Sequence, residues 1–169
     1  KVASLTTLPP GATPSAAFKT SGTTQGDQGA PAFAALDYYH QGSLPAFRRY
    51  LCPDRPQMTI LDLTPPGEDS SLGHMARQIR LALGGPKSTQ RMGLDELDLE
   101  GAWGDLERAT KEGDPVLILG TAFAFVFLME HRPGFSLPLP QGSRLMETGG
   151  FKGRTRAIPR EELRRNLSA

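Results

Sequence analysis

Eight consecutive residues, Lys19-Thr20-Ser21-Gly22-Thr23-Thr24-Gln25-Gly26, bring together four hydroxyls, two glycines and one cation directly after the short apolar segment Ala16–Phe18. Such a composition suits the cradling of phosphate. Glycine lets the backbone come close to an anion and take positive φ, and Ser/Thr hydroxyls with successive main-chain N–H groups can surround phosphate oxygens. The stretch has neither the G-x-x-x-x-G-K-[ST] spacing of the common nucleotide loop nor the G-x-G-x-x-G of a dinucleotide fingerprint. A polar turn between two elements is the other reading of the same residues.

Glu147-Thr148-Gly149-Gly150-Phe151-Lys152-Gly153-Arg154 follows a similar logic of strand, paired glycines and then cations. A flat ring can stack on an exposed Gly-Gly backbone, and Lys152 and Arg154 can face negative charge; a tight turn with solvated cations is the alternative. His40, His74 and His131 show no pair at ligand spacing, and a single cysteine, Cys52, cannot supply a zinc cluster, so no metal site is expected within this chain. There is no G-x-S-x-G elbow. His74 follows a strand and a loop, which suits either a pocket wall or a helix residue with a satisfied ring. Phe123, Phe125 and Phe127 could bound an apolar channel, but core packing is the preferred reading.

These residues need elements to position them. Ala16–Lys19 reads as a short strand feeding the first glycine stretch. Apolar spacing over 33–39 and 44–51, broken at Gly42 and Pro45, predicts two short helices or one kinked helix. Gln57–Leu63 reads as a strand closed by Pro65-Pro66-Gly67. Ser70-Ser71 offers an N-cap for a helix through Leu83 with Leu72, Met75, Ile79 and Leu83 on one face. A helix from Trp103 to Glu112 stops at Gly113. Pro115–Leu119 is uniformly apolar, as a strand covered on both faces should be, and Gly120-Thr121 turns it into an apolar helix to about Glu130. Ser143–Thr148 predicts another strand, and Pro159–Asn166 a helix with proline at its first turn. Alternating strands and helices imply an α/β fold, a largely parallel sheet flanked by helices, over 16–169, with 1–15 a linker or extended arm. Ligands of such sheets sit beyond the carboxyl ends of the strands, which puts Thr20–Gly26, Gly120-Thr121 and Thr148–Gly153 on one edge.

A chain of 169 residues, 38% hydrophobic and 22% charged, is of a size for one folded unit. A net charge of +1 argues against a general nucleic-acid or membrane-surface role. The charge is uneven: Lys152, Arg154, Arg156, Arg160, Arg164 and Arg165 face only Glu161 and Glu162 in the tail. The longest apolar run, Val116–Met129, is too short for a membrane span. One cysteine fits a reducing, cytoplasmic compartment. The chain opens on Lys1 in a Pro/Gly/Ser/Thr-rich stretch, which reads as a segment or processed form of something longer.

The run Phe18–Gly26 resembles the phosphate loop of adenylate-forming enzymes, the acyl-CoA synthetase and luciferase-like superfamily, whose loop usually reads T-S-G-T-T-G-x-P-K. Gly142–Arg154 followed by Ile158–Leu163 is similar, more specifically, to the acyl-protein synthetase branch, which includes the synthetase subunit of the bacterial bioluminescence fatty acid reductase. The likeness runs from Ala16 to Leu167. It implies the partial N-terminal-domain core of an adenylate-forming enzyme, using ATP and Mg²⁺. A carboxylic acid, of fatty-acid type, would attack the α-phosphorus, giving an acyl-adenylate and pyrophosphate. The acyl group would then pass to a protein thiol and onward to a partner reductase or other acceptor protein. By this resemblance Thr20, Ser21, Gly22, Thr23, Thr24 and Gly26 would hold the phosphates. Thr148, Gly149, Gly150, Lys152 and Arg154 would meet the adenine and acyl-adenylate, and His74, Gly120 and Thr121 would border the acyl pocket.

Departures from that pattern are specific. Asp27-Gln28-Gly29 stands where the loop lysine belongs, and Gln25 stands where glycine is usual. The aromatic-Gly-x-Thr-Glu motif that carries a magnesium-linked glutamate does not occur before Ala169, nor does the lid with its catalytic lysine, so the chain reads as a central portion that is inactive alone. Cys52 is not where the acyl-acceptor cysteine is expected. Two other functions stay open: a CoA ligase similar to phenylacetate-CoA ligase, and a non-catalytic nucleotide- or partner-binding module with its Arg-rich tail as a docking helix.

Overall fold

The computed structural model describes residues 8–9, 11–19, 29–94, 96–149 and 158–168. Its centre is β5 (Val116–Gly120), every residue of which is buried. A strand apolar on both sides can be stable only with cover on both faces, and that is its setting. β5 pairs in parallel with β3 (Thr59–Leu63) on one side and β6 (Arg144–Glu147) on the other, and β3 pairs in parallel with the two-residue β4 (Thr89–Gln90). The order is β4-β3-β5-β6, all parallel, so the expected α/β architecture is observed.

Alternation of side chains along the strands divides the core into two layers. Val116 and Ile118 of β5 and Leu61 and Leu63 of β3 pack with α3 (Leu99–Glu112), α4 (Ala122–His131) and α5 (Arg160–Ser168). Leu117, Leu119 and Ile60 pack on the opposite face with α1 (Asp37–Leu51) and α2 (Ser71–Leu83). α4 is buried almost all round, and its Phe123 and Phe125 are 1% and 0% exposed, so the phenylalanine run is core. Each such ring contributes about 1.5–3 kcal/mol over its exposed state.

Local chemistry sets the ends of the helices. Ser70 Oγ accepts from Gly73 N at 3.1 Å, the expected cap of α2. Asp98 caps α3 through Gly101 N at 2.9 Å, so that helix begins at Leu99 rather than at Trp103. Gly113 ends it in the left-handed region at φ +68.

The structure differs from the sequence reading in four further places. Ala16–Ala17 (β1) pairs antiparallel with Ala32–Phe33 (β2) in a separate two-stranded sheet, outside the parallel one. α1 runs unbroken through Pro45, which removes one backbone donor without stopping the helix. β4 is too short to carry a period. In α2 the buried stripe is Gly73, Ala76, Ile79 and Leu83, with Leu72 and Met75 only half-buried, because the small residues let the helix lie close to the sheet and to loop 65–67.

Candidate functional site at the carboxyl rim of the sheet

β5 and β6 end in register, Gly120 opposite Glu147. One residue further, Thr148 turns back on the neighbouring strand: its N–H and its hydroxyl both donate to Gly120 O, at 3.0 and 3.3 Å. Gly149 then takes φ +76, a conformation that a side chain would strain. Its N–H donates to Glu147 Oε1, and Arg160 Nε, from the start of α5, donates to Glu147 Oε2 at 3.2 Å. A cavity of about 280 Å³ opens here, lined by Ala122, Glu147, Thr148, Gly149, Arg160 and Leu163.

Gly120 and Thr121 adjoin this corner through the Thr148 bonds and the start of α4, without lining the cavity. The side of Gly120 is covered: a Cβ there would lie 2.9 Å from the Phe125 ring, so only glycine lets that ring pack down. Thr121 stands at the N-cap of α4, yet its side chain makes no cap bond. Its hydroxyl is buried and has no hydrogen-bond partner among the described residues. A buried, unanswered hydroxyl at a helix start costs about 1–3 kcal/mol. The start of a helix also favours negative charge.

On the other face of the sheet, Asp62 of β3 is 1% exposed. Its Oδ1 accepts from Thr64 N at 2.9 Å and from Thr64 Oγ1 at 2.6 Å. Burial pushes this carboxyl above its ordinary range, and the Thr64 bonds hold it back. Arg80 Nε lies 3.7 Å from Asp62 Oδ2 and makes no hydrogen bond, while Arg80 Nη2 donates to Gln90 Oε1 at 3.1 Å. The group ties β3, β4 and α2 together near the rim and was not visible as a pattern in the sequence.

His74 does not join Gly120 and Thr121 on one wall. It sits in the first turn of α2, on the sheet face opposite the 280 Å³ cavity, which it does not line. The histidines have no pair at ligand spacing along the chain, yet two of them meet in space. His40 Nε2 and His74 Nε2 are 2.8 Å apart, joining α1 to α2 across 34 residues. Ligand spacing along the chain cannot reveal partners that only the packing of two helices brings together. Phe18 and Tyr39 pack on them, with Phe18 5.4 Å from His74 between ring centroids, and Phe33 packs on Phe18 and Tyr39 behind.

Thr20, Ser21, Gly22, Thr23, Thr24 and Gly26 lie outside the described residues, as do Gly150, Lys152 and Arg154. The residue before the first stretch is placed: Lys19 N donates to Asp69 O at 2.7 Å and Lys19 Nζ pairs with Asp69 at 2.8 Å, in the loop that follows β3. The root of that stretch is therefore fastened to the loop between β3 and α2. Among the described residues no group of three or more His, Cys, Asp or Glu could hold a metal ion. No helix among them is long and apolar enough to cross a membrane.

No protein-family model matches the chain, and neither a curated protein nor a solved structure is significantly similar to it.

Proposed function

We propose that the protein carrying this sequence activates a carboxylic acid, of fatty-acid type, as an acyl-adenylate at the expense of ATP, and passes the acyl group to a protein thiol in the manner of the acyl-protein synthetases. The observation that carries this reading is the meeting of Gly120-Thr121 with Thr148-Gly149 at the carboxyl rim of a parallel sheet, where the Thr121 hydroxyl is buried without a partner among the described residues and Ala122 opens on a cavity of about 280 Å³. Ligands of parallel sheets collect at that rim. Lys19, docked on Asp69 beside β3, leads into the hydroxyl-rich stretch Thr20–Gly26, which would supply the phosphate cradle with Mg²⁺. Substitution at phosphorus depends mainly on positioning and charge neutralisation, work that such amides and hydroxyls can do.

The test is acid-dependent exchange of pyrophosphate into ATP by the full-length protein that carries this sequence, with acids from acetate to long chains. Exchange with at least one acid is expected; none with any would reject the reading. Thr23→Ala combined with Thr24→Ala should abolish nucleotide binding in calorimetry, and unchanged affinity would remove the phosphate role of that stretch. Mass spectrometry of the product separates an acylated protein from free acyl-CoA, the product expected of a CoA ligase.

A further inference from the structure

The contact between His40 and His74 has a defined geometry. The two rings are within 10° of parallel, with centroids 5.1 Å apart. Rings lying face over face would be separated by about 3.5 Å, so an Nε2···Nε2 distance of 2.8 Å excludes that arrangement. The imidazoles instead meet head to head, nearly in one plane, as an in-line hydrogen bond requires. One Nε2 must then carry a proton and the other must not. The pair holds one bridging proton, and a second proton on the facing nitrogen ends the bond.

The pair occupies a junction of three elements. His40 is on α1, His74 on α2, and Phe18 packs on His74 and on Tyr39 from the end of β1. Tyr39 Oη donates to Ser71 O at 2.9 Å, beside the same corner. Phe18 N donates to Pro31 O, and Lys19 continues to Asp69, so the β1–β2 hairpin is seated on this corner.

We propose that His40 and His74 form a proton-gated clasp, which holds the β1–β2 hairpin against α1 and α2 while one proton is shared and loosens it when both facing nitrogens are protonated. The charged and titratable groups around the clasp are Arg77 on α2, Tyr39 and Asp37 on α1, and the Lys19–Asp69 pair at the hairpin base. Among the described residues no carboxylate hydrogen-bonds to either ring. Burial, then His40 and then Arg77, holds His74 below the ordinary imidazole range. The unfolded chain therefore binds more protons than the folded one just below the ordinary value of about 6.5. The contribution of the clasp is complete above that value and is lost as the pH falls from there through the lowered value of His74. The proposal does not rest on the acyl-activation reading.

Hydrogen exchange on the full chain tests it, with rates corrected for the intrinsic effect of pH. Between pH 7.5 and 5.0, protection of backbone amides in 16–19, 29–33 and the first turns of α1 and α2 should fall roughly fivefold, the loss expected for one net hydrogen bond. His40→Gln offers His74 an uncharged amide partner and should keep that protection at both pH values. Nitrogen NMR of the imidazoles at pH 7.5 should show one of the two Nε2 atoms protonated and the other bare. Protection independent of pH in the natural chain, an equal loss in His40→Gln, or two protonated Nε2 atoms at pH 7.5 would each overturn the proposal.

Discussion

Helices α2 and α4 both begin just past the carboxyl end of a parallel strand, α2 after β3 and α4 after β5, and the two strands are hydrogen-bonded neighbours. At α2 the Ser70 hydroxyl accepts from Gly73 N, and a glycine at position 73 lets loop 65–67 fold onto the helix. At α4 the corresponding Thr121 makes no such bond, its hydroxyl is buried without a partner among the described residues, and the next residue borders a cavity. Two starts of equal topological rank thus differ in whether their own residues complete them. A helix start that is satisfied internally serves the fold, whereas one that keeps a buried hydroxyl unanswered has capacity left for something else. That difference is why the functional reading is centred on β5 and β6.

Substitutions can break this comparison, beginning with the close approaches. Gly73→Ala places a Cβ 2.7 Å from Pro65 O, a backbone atom that cannot swing aside, and Gly120→Ala places one 2.9 Å from the Phe125 ring. Each should lower stability in urea denaturation by about 1–3 kcal/mol, as overpacking does, with Gly73→Ala the costlier because a ring can shift and a backbone carbonyl cannot. Equal stability of either variant with the natural chain would show that the packing at that helix start is looser than described.

The caps come next. Ser70→Ala should cost about 1 kcal/mol, the usual worth of an N-cap, whereas Thr121→Val, which removes a hydroxyl with no partner among the described residues, should be neutral or stabilising. Thermal denaturation of the two variants reads the contrast directly; a comparable loss from Thr121→Val would mean that its hydroxyl is answered after all. A comparably small effect is expected from Arg160→Gln. Arg160 is 66% exposed, and its partner Glu147, itself only 8% exposed, keeps the Gly149 N–H bond, so losing this hydrogen bond should cost about 1 kcal/mol. A larger loss would show that the pair supports the turn at Thr148-Gly149 rather than decorating it.

Much of the architecture was legible because its causes are local. The all-apolar run at 116–119 announces a covered strand, Ser70 announces a helix start, and Gly113 announces a stop, since each signal is carried by residues within one turn of where it acts. β4 left no trace because two residues have no period. The length of α3 was misjudged because Asp98, which caps it, lies outside the apolar pattern. For the candidate site the outcome is divided. Gly120-Thr121 and Thr148-Gly149 were expected on one rim and are joined there by the bonds from Thr148 to Gly120 O. His74 was grouped with them, but α2 packs on the sheet face opposite α4, where His74 meets His40.

By itself the sequence determined the class of fold, the place of its central strand, the glycines at its turns and the hydroxyl-rich stretch leading from Lys19, all of them properties of neighbouring residues. Only the tertiary structure decided which hydroxyl is left unanswered, which sheet face each candidate occupies, and that two histidines 34 residues apart share a contact. Those outcomes depend on the packing of α1 against α2 and of α4 against β5. Contacts between elements distant in the chain are selected by the free energy of the whole core rather than by any short run of residues.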